Sequence, residues 1–186
     1  MKAKRILTLI AAVWLTTVVH AQTDPKVKAQ VEDIRRMYAE AKQLVAHSEE
    51  PDQDWYEDLE IHRRQMCSGV GMVYETQRYF YLSDFDDERG YEVASLHFLT
   101  RRYNSAARQY YEEYLFDPES GQLVFAFLQG DNAFTGEKDE TRYYWHNGEL
   151  IHQQTKGEPL LDDMLTQRTA SDLFAAFNIL LNRVYE

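Results

Sequence analysis

Apolar positions change their period twice along this chain. After Pro25, the residues Val27, Val31, Ile34, Tyr38, Ala41 and Val45 recur at spacings of four and three. That places them in one stripe on an α-helix running to His47, with Lys, Arg, Glu and Gln on the remaining surface. Asp24-Pro25 supplies the start, because Asp accepts hydrogen bonds from free helix N–H groups and Pro suits the first helical position. The acidic stretch from Ser48 to Asp58, which contains Pro51, reads as a loop. From Leu59 the period becomes two and aromatic residues accumulate. This pattern predicts seven strands, at 59–66, 70–82, 91–103, 108–116, 122–129, 140–145 and 149–156. Turn residues separate them, and Asn147-Gly148 is the strongest hairpin signal because both tolerate positive φ. Short connections make neighbouring strands antiparallel, so the sheet reads as a meander.

The helical period returns at 170–185, with Thr169 as the expected N-cap and Asp172 as its capping partner. Leu173, Phe174, Phe177, Leu180, Leu181 and Val184 give that helix a broad apolar face. A short helical turn is expected at 160–165. The fold class is therefore α+β: an N-terminal helix, an antiparallel β-meander of about seven strands, and a C-terminal helix packed on the sheet.

The direction of the strand side chains changes this picture. With a two-residue turn at Asn147-Gly148, Trp145 opposes Leu150 and Tyr143 opposes His152. Around the turn that follows Phe116, one face carries Tyr110, Glu112, Tyr114, Val124 and Leu128, and the other Tyr111, Leu115, Leu123, Phe125 and Phe127. Neither hairpin alternates between apolar and polar, as a sheet with one solvated face should. Both faces therefore need cover, and two amphipathic helices are expected to coat only one. An uncovered face rich in tyrosine with polar handles has the composition of a recognition surface. It can curl on itself, form a groove, or pair with another chain, including a second copy in a homodimer. The ligand-contacting residues expected there are Tyr110, Glu112, Tyr114, Tyr143, Trp145 and His152.

The first 21 residues stand apart. Lys2, Lys4 and Arg5 precede an uncharged apolar run from Ile6 to Val19, and Ala21 closes a small-residue cleavage site. The run is too short to cross a bilayer. A signal peptide over 1–21 and a single α+β domain over 22–186 are expected, with a periplasmic or secreted location and no membrane attachment after cleavage. Gln22 is not the cysteine of a lipoprotein anchor.

The formal charge is −11, and loss of the three cationic leader residues makes the mature chain more negative still. Such a surface repels nucleic acid and anionic lipid and favours solubility or a basic partner. The single cysteine, Cys67, makes no internal disulfide and reads as a small buried hydrophobe.

There is no metal-ligand histidine pair, phosphate loop or nucleophile elbow in the sequence, so no metal, cofactor or catalytic residue is expected. The acids Asp84, Asp86, Asp87 and Glu88 lack the ordered spacing of a calcium loop. The layout of leader, helix, aromatic meander and final helix resembles small exported α+β proteins of Gram-negative bacteria. That resemblance implies a periplasmic or secreted location and nothing catalytic. The functional expectation is a non-enzymatic binding module that presents its tyrosine-rich sheet face to a protein or a small amphipathic ligand. Two alternatives are an immunity or inhibitor protein against a basic toxin or enzyme and, third, a carbohydrate-active enzyme using carboxylates on the aromatic face.

Overall fold

The computed structural model describes residues 24–47, 56–88, 90–132 and 134–182. The leader expected over 1–21 lies outside the described residues. Helix α1 spans Pro25–His47, the range its apolar period predicts. Seven strands follow: β1 Glu57–Cys67, β2 Gly71–Asp86, β3 Tyr91–Ser105, β4 Arg108–Phe116, β5 Leu123–Asp131, β6 Lys138–His146 and β7 Glu149–Lys156. They form one open antiparallel sheet in the order β1-β2-β3-β4-β5-β6-β7. Helix α2, Asp163–Leu181, closes the described chain.

Helix α2 begins well before the expected start at Thr169. Asp162 is its N-cap, accepting from the Leu165 amide at 2.7 Å. The short helical turn and the final helix expected from sequence are one element. Thr166 and Thr169 interrupt the apolar pattern inside it. Their hydroxyls turn back onto the carbonyls of Asp162 (2.7 Å) and Leu165 (2.9 Å), so the helix runs through them.

The sheet separates the two helices. Val31, Ile34 and Ala41 of α1 pack on Phe80, Phe98, Leu115, Phe125 and Tyr144. Ala170, Leu173 and Phe177 of α2 pack on the opposite side, against Tyr79, Tyr81, Leu99, Tyr114, Tyr143 and Trp145. The expectation that both helices coat one face is corrected: each face has its own helix and its own core. The tyrosine-rich face that seemed to lack cover is the one beneath α2.

Two β-bulges also alter the expected facing. The register shifts between Leu115 and Phe116 in the β4–β5 pair, so Phe116 opposes Leu123 and Leu115 opposes Phe125. It shifts again between Tyr144 and Trp145, so Trp145 still opposes Leu150 but His152 opposes Tyr144 instead of Tyr143. An extra residue on one strand moves the following side chains to the other face. Leu123 consequently joins the α2 side, and His152 lies on the α1 side with its ring 5.4 Å from that of Tyr144.

Candidate functional site

The sequence Tyr110-Tyr111-Glu112-Glu113-Tyr114 on β4 organises both faces, because adjacent residues on a strand point opposite ways. Each face receives one glutamate flanked by tyrosine, and each glutamate is only 2 % exposed. Both are satisfied by hydrogen bonds, as buried carboxylates must be.

On the α2 side, Glu112 accepts from Tyr103 (2.9 Å), Tyr114 (2.8 Å) and Arg101 (3.1 Å). Arg101 also donates to Glu75 at 2.6 Å, and Gln77 and Arg63 complete that carboxylate's partners. Burial alone would raise the Glu75 carboxyl. The hydrogen bonds from Arg101 and Gln77 and the charges of Arg101 and Arg63 outweigh it and hold the group below its ordinary value. Burial likewise opposes the charge on Arg101, and Glu112 and Glu75 overcome it, so the guanidinium stays protonated. Each member of this network has a partner within the chain.

The residues expected to contact a ligand are placed as follows. Tyr114, Tyr143 and Trp145 are at most 2 % exposed and belong to the core under α2. Tyr143 donates to the Leu161 carbonyl at 2.6 Å. Tyr110 is half-buried and stacks on Tyr103, with ring centroids 4.9 Å apart. Glu112 belongs to the arginine network, and His152 lies across the sheet. The structure thus brings Tyr110, Glu112 and Tyr114 together on one face but leaves the rings of Tyr114, Tyr143 and Trp145 no surface to offer a ligand.

The α1 side differs in its cations. Glu113 is claimed by Tyr38, Tyr111 and Lys42, the last at 2.6 Å, which anchors α1 to the sheet. Burial, followed by Glu113, raises the hydroxyls of Tyr38 and Tyr111 well above their ordinary values, so both keep their protons and act as donors. Past this anchor, α1 leaves part of the sheet face open. A cavity of about 490 Å³ lies there, lined among others by Lys42, Arg78, Phe80, Thr100, Arg102 and Tyr111.

Register explains why one of its cations lacks a carboxylate partner among the described residues. Arg101 opposes Glu112 and takes that carboxylate. Arg102, on the other face, opposes Tyr111 and lies 5.0 Å over its ring. Lys42 occupies the remaining glutamate, Glu113. Arg78 pairs with Asp58 at 2.7 Å and lies 4.9 Å over the Phe80 ring. Arg102 has no carboxylate within ion-pair distance among the described residues. Thr76 and Glu60 complete the polar rim, and His62 Nδ1 lies 3.2 Å from the Thr76 hydroxyl. Sequence reasoning missed this group. The signal available was the doublets Arg101-Arg102 and Glu112-Glu113, because alternation along a strand sends one arginine and one glutamate to each face.

The fold and site define a class: a three-layer α+β protein with a helix on each face of an open seven-stranded meander and a cationic, partly aromatic cavity beside the first helix. No family model matches the chain, and no curated protein or solved structure is similar to it. Among the described residues, no helix is long and apolar enough to cross a membrane.

Proposed function

We propose that this protein is an exported binding module for a small amphipathic anion, held in the cavity beside α1. The reading rests on one observation: Arg102 sits in a cavity with no carboxylate partner among the described residues, while the rest of the chain is strongly acidic. A guanidinium stacked on a ring presents its fork to a carboxylate, sulfonate or phosphate. Thr76 and Thr100 add hydroxyls, and Val45 and Tyr111 offer apolar wall to the ligand's body. The leader read from the sequence supports a periplasmic or secreted location.

Titration calorimetry with phenyl phosphate, and with benzylamine as a cation of similar size, tests the reading. Phenyl phosphate should bind and benzylamine should not. Arg102→Gln should weaken phenyl phosphate binding by about tenfold, the equivalent of one charge-assisted hydrogen bond of roughly 1.5 kcal/mol, and leave the melting temperature unchanged. Equal response to both probes, or an unaltered affinity in Arg102→Gln, refutes it.

A further inference from the structure

The two edges of the sheet are guarded very differently. Edge strand β1 reads Glu-Asp-Leu-Glu-Ile-His-Arg-Arg, a dense run of charge. Edge strand β7 carries none of Lys, Arg, Asp or Glu from Leu150 to Thr155, and no proline. Its side chains from Gln153 to Lys156 are exposed. Charge, proline or a covering element is how sheets prevent edge-to-edge pairing, and a bare uncharged edge is a template for another strand.

We propose that β7 pairs with β7 of a second copy of this chain, antiparallel, across a two-fold axis at Gln153. The argument lies in facing. A two-fold axis that relates antiparallel strands stands perpendicular to the sheet, so every opposed pair must come from the same face. Glu149 and Lys156 are the charges at the two ends of β7. On a regular strand their odd separation would put them on opposite faces. The bulge against Tyr144 and Trp145 absorbs Ile151 and resets the alternation. Glu149 opposes His146 and Lys156 opposes Glu140, both on the face that carries Tyr144. Leu150 opposes Trp145 and Thr155 opposes Thr141, on the face beneath α2.

With the axis at Gln153, each strand then meets its copy face to face. Gln153 opposes Gln153, His152 opposes Gln154, Leu150 opposes Thr155, and Glu149 opposes Lys156, with Ile151 bulged on both strands. The end charges are complementary twice over, and the centre is uncharged. The bulge that moved His152 across the sheet is what makes this self-pairing geometrically possible.

Sedimentation velocity on the chain, from micromolar to hundreds of micromolar, tests the proposal. The wild type should show a dimer whose fraction rises with concentration. Glu149→Lys turns two opposite-charge pairs into two like-charge pairs and should weaken association by about tenfold. The double variant Glu149→Lys/Lys156→Glu should restore it, which a merely damaged fold would not do. In a Cys67→Ser background, Gln153→Cys should cross-link to itself under mild oxidation, since opposed Cα atoms on antiparallel strands lie about 4.5–5.5 Å apart, within the span of a disulfide. A chain that stays monomeric throughout, an association that Glu149→Lys leaves unchanged, or a double variant no better than the single overturns the proposal. None of these outcomes depends on the anion cavity.

Discussion

At the scale of single residues, this fold buries carboxylates beside its apolar core. Glu75 is 3 % exposed, yet it accepts from Arg101, Gln77 and Arg63. Losing this carboxylate removes its charge-assisted hydrogen bonds while Arg101 keeps Glu112 and Arg63 is half-exposed, a cost of about 1.5–3 kcal/mol. Glu75→Gln should therefore lower stability at neutral pH by that order, measured by urea unfolding. The dependence on pH has a definite sign. The Glu75 carboxyl in the folded chain lies below its ordinary value of 4.5. Its contribution is fully present above that value and is lost as pH falls through the lower folded value. The gap between wild type and Glu75→Gln should close in acid, and a constant gap from pH 7 downward would refute the assignment. Trp145 stands at the other extreme, since its buried indole N–H has no hydrogen-bond partner among the described residues. Trp145→Phe removes that unsatisfied donor along with some volume, so part of the packing loss is offset.

At the scale of elements, α1, the seven strands and the Asn147-Gly148 hairpin were legible because each rests on local signals: a period, a cap or a turn residue. The start of α2 was not, because Thr166 and Thr169 look like breaks until their hydroxyls are seen to bond the preceding turn. The facing of Leu123 and His152 was not, because a bulge is a two-against-one arrangement that leaves no compositional mark. The site was illegible for the same reason. The sequence shows aromatics and charges along a strand but does not say which face a helix will cover. One element that decides this is the link from β7 to α2. Gly157 has φ +78°, and a Cβ there would lie 2.0 Å from Asp139 Oδ1. That carboxylate accepts from the Glu158 amide at 3.1 Å and from Asn132 at 2.9 Å, so it ties the β5–β6 turn to the link. Gly157→Ala meets both an unfavourable φ and a backbone-anchored acid. It should cost about 2 kcal/mol or more, whereas Gly148→Ala, with open space around its Cβ, should show only the strain of its φ. Thermal unfolding of the two variants side by side checks the difference.

At the scale of the whole molecule, the expected imbalance between greasy sheet and available helix resolves into an arrangement of layers. Each face has an apolar half under its own helix and a polar half beyond it. On the α1 side the apolar half centres on Phe80, Phe98, Leu115, Phe125 and Tyr144, and the open half carries Arg78, Thr100, Arg102 and Tyr111. The uncovered area is thus rich in charge, which is why the candidate cavity is cationic instead of a greasy groove. On the α2 side, a chain ending before Asp162 would bare Tyr79, Leu99, Tyr114, Tyr143 and Trp145 together, all of them buried when α2 is present. Such a truncation should scatter light and bind hydrophobic dyes strongly, because a contiguous apolar patch of that kind drives association. A clear, monodisperse truncated chain would mean that α2 contributes little to covering this face.

The strand order, which runs in sequence without a crossover, sets a timetable for biosynthesis. Every hairpin can zip onto the one made just before it, with no wait for a distant segment. Helix α2 follows β7, so a nascent polypeptide holds a nearly finished sheet with one sticky side bare until that helix has been made.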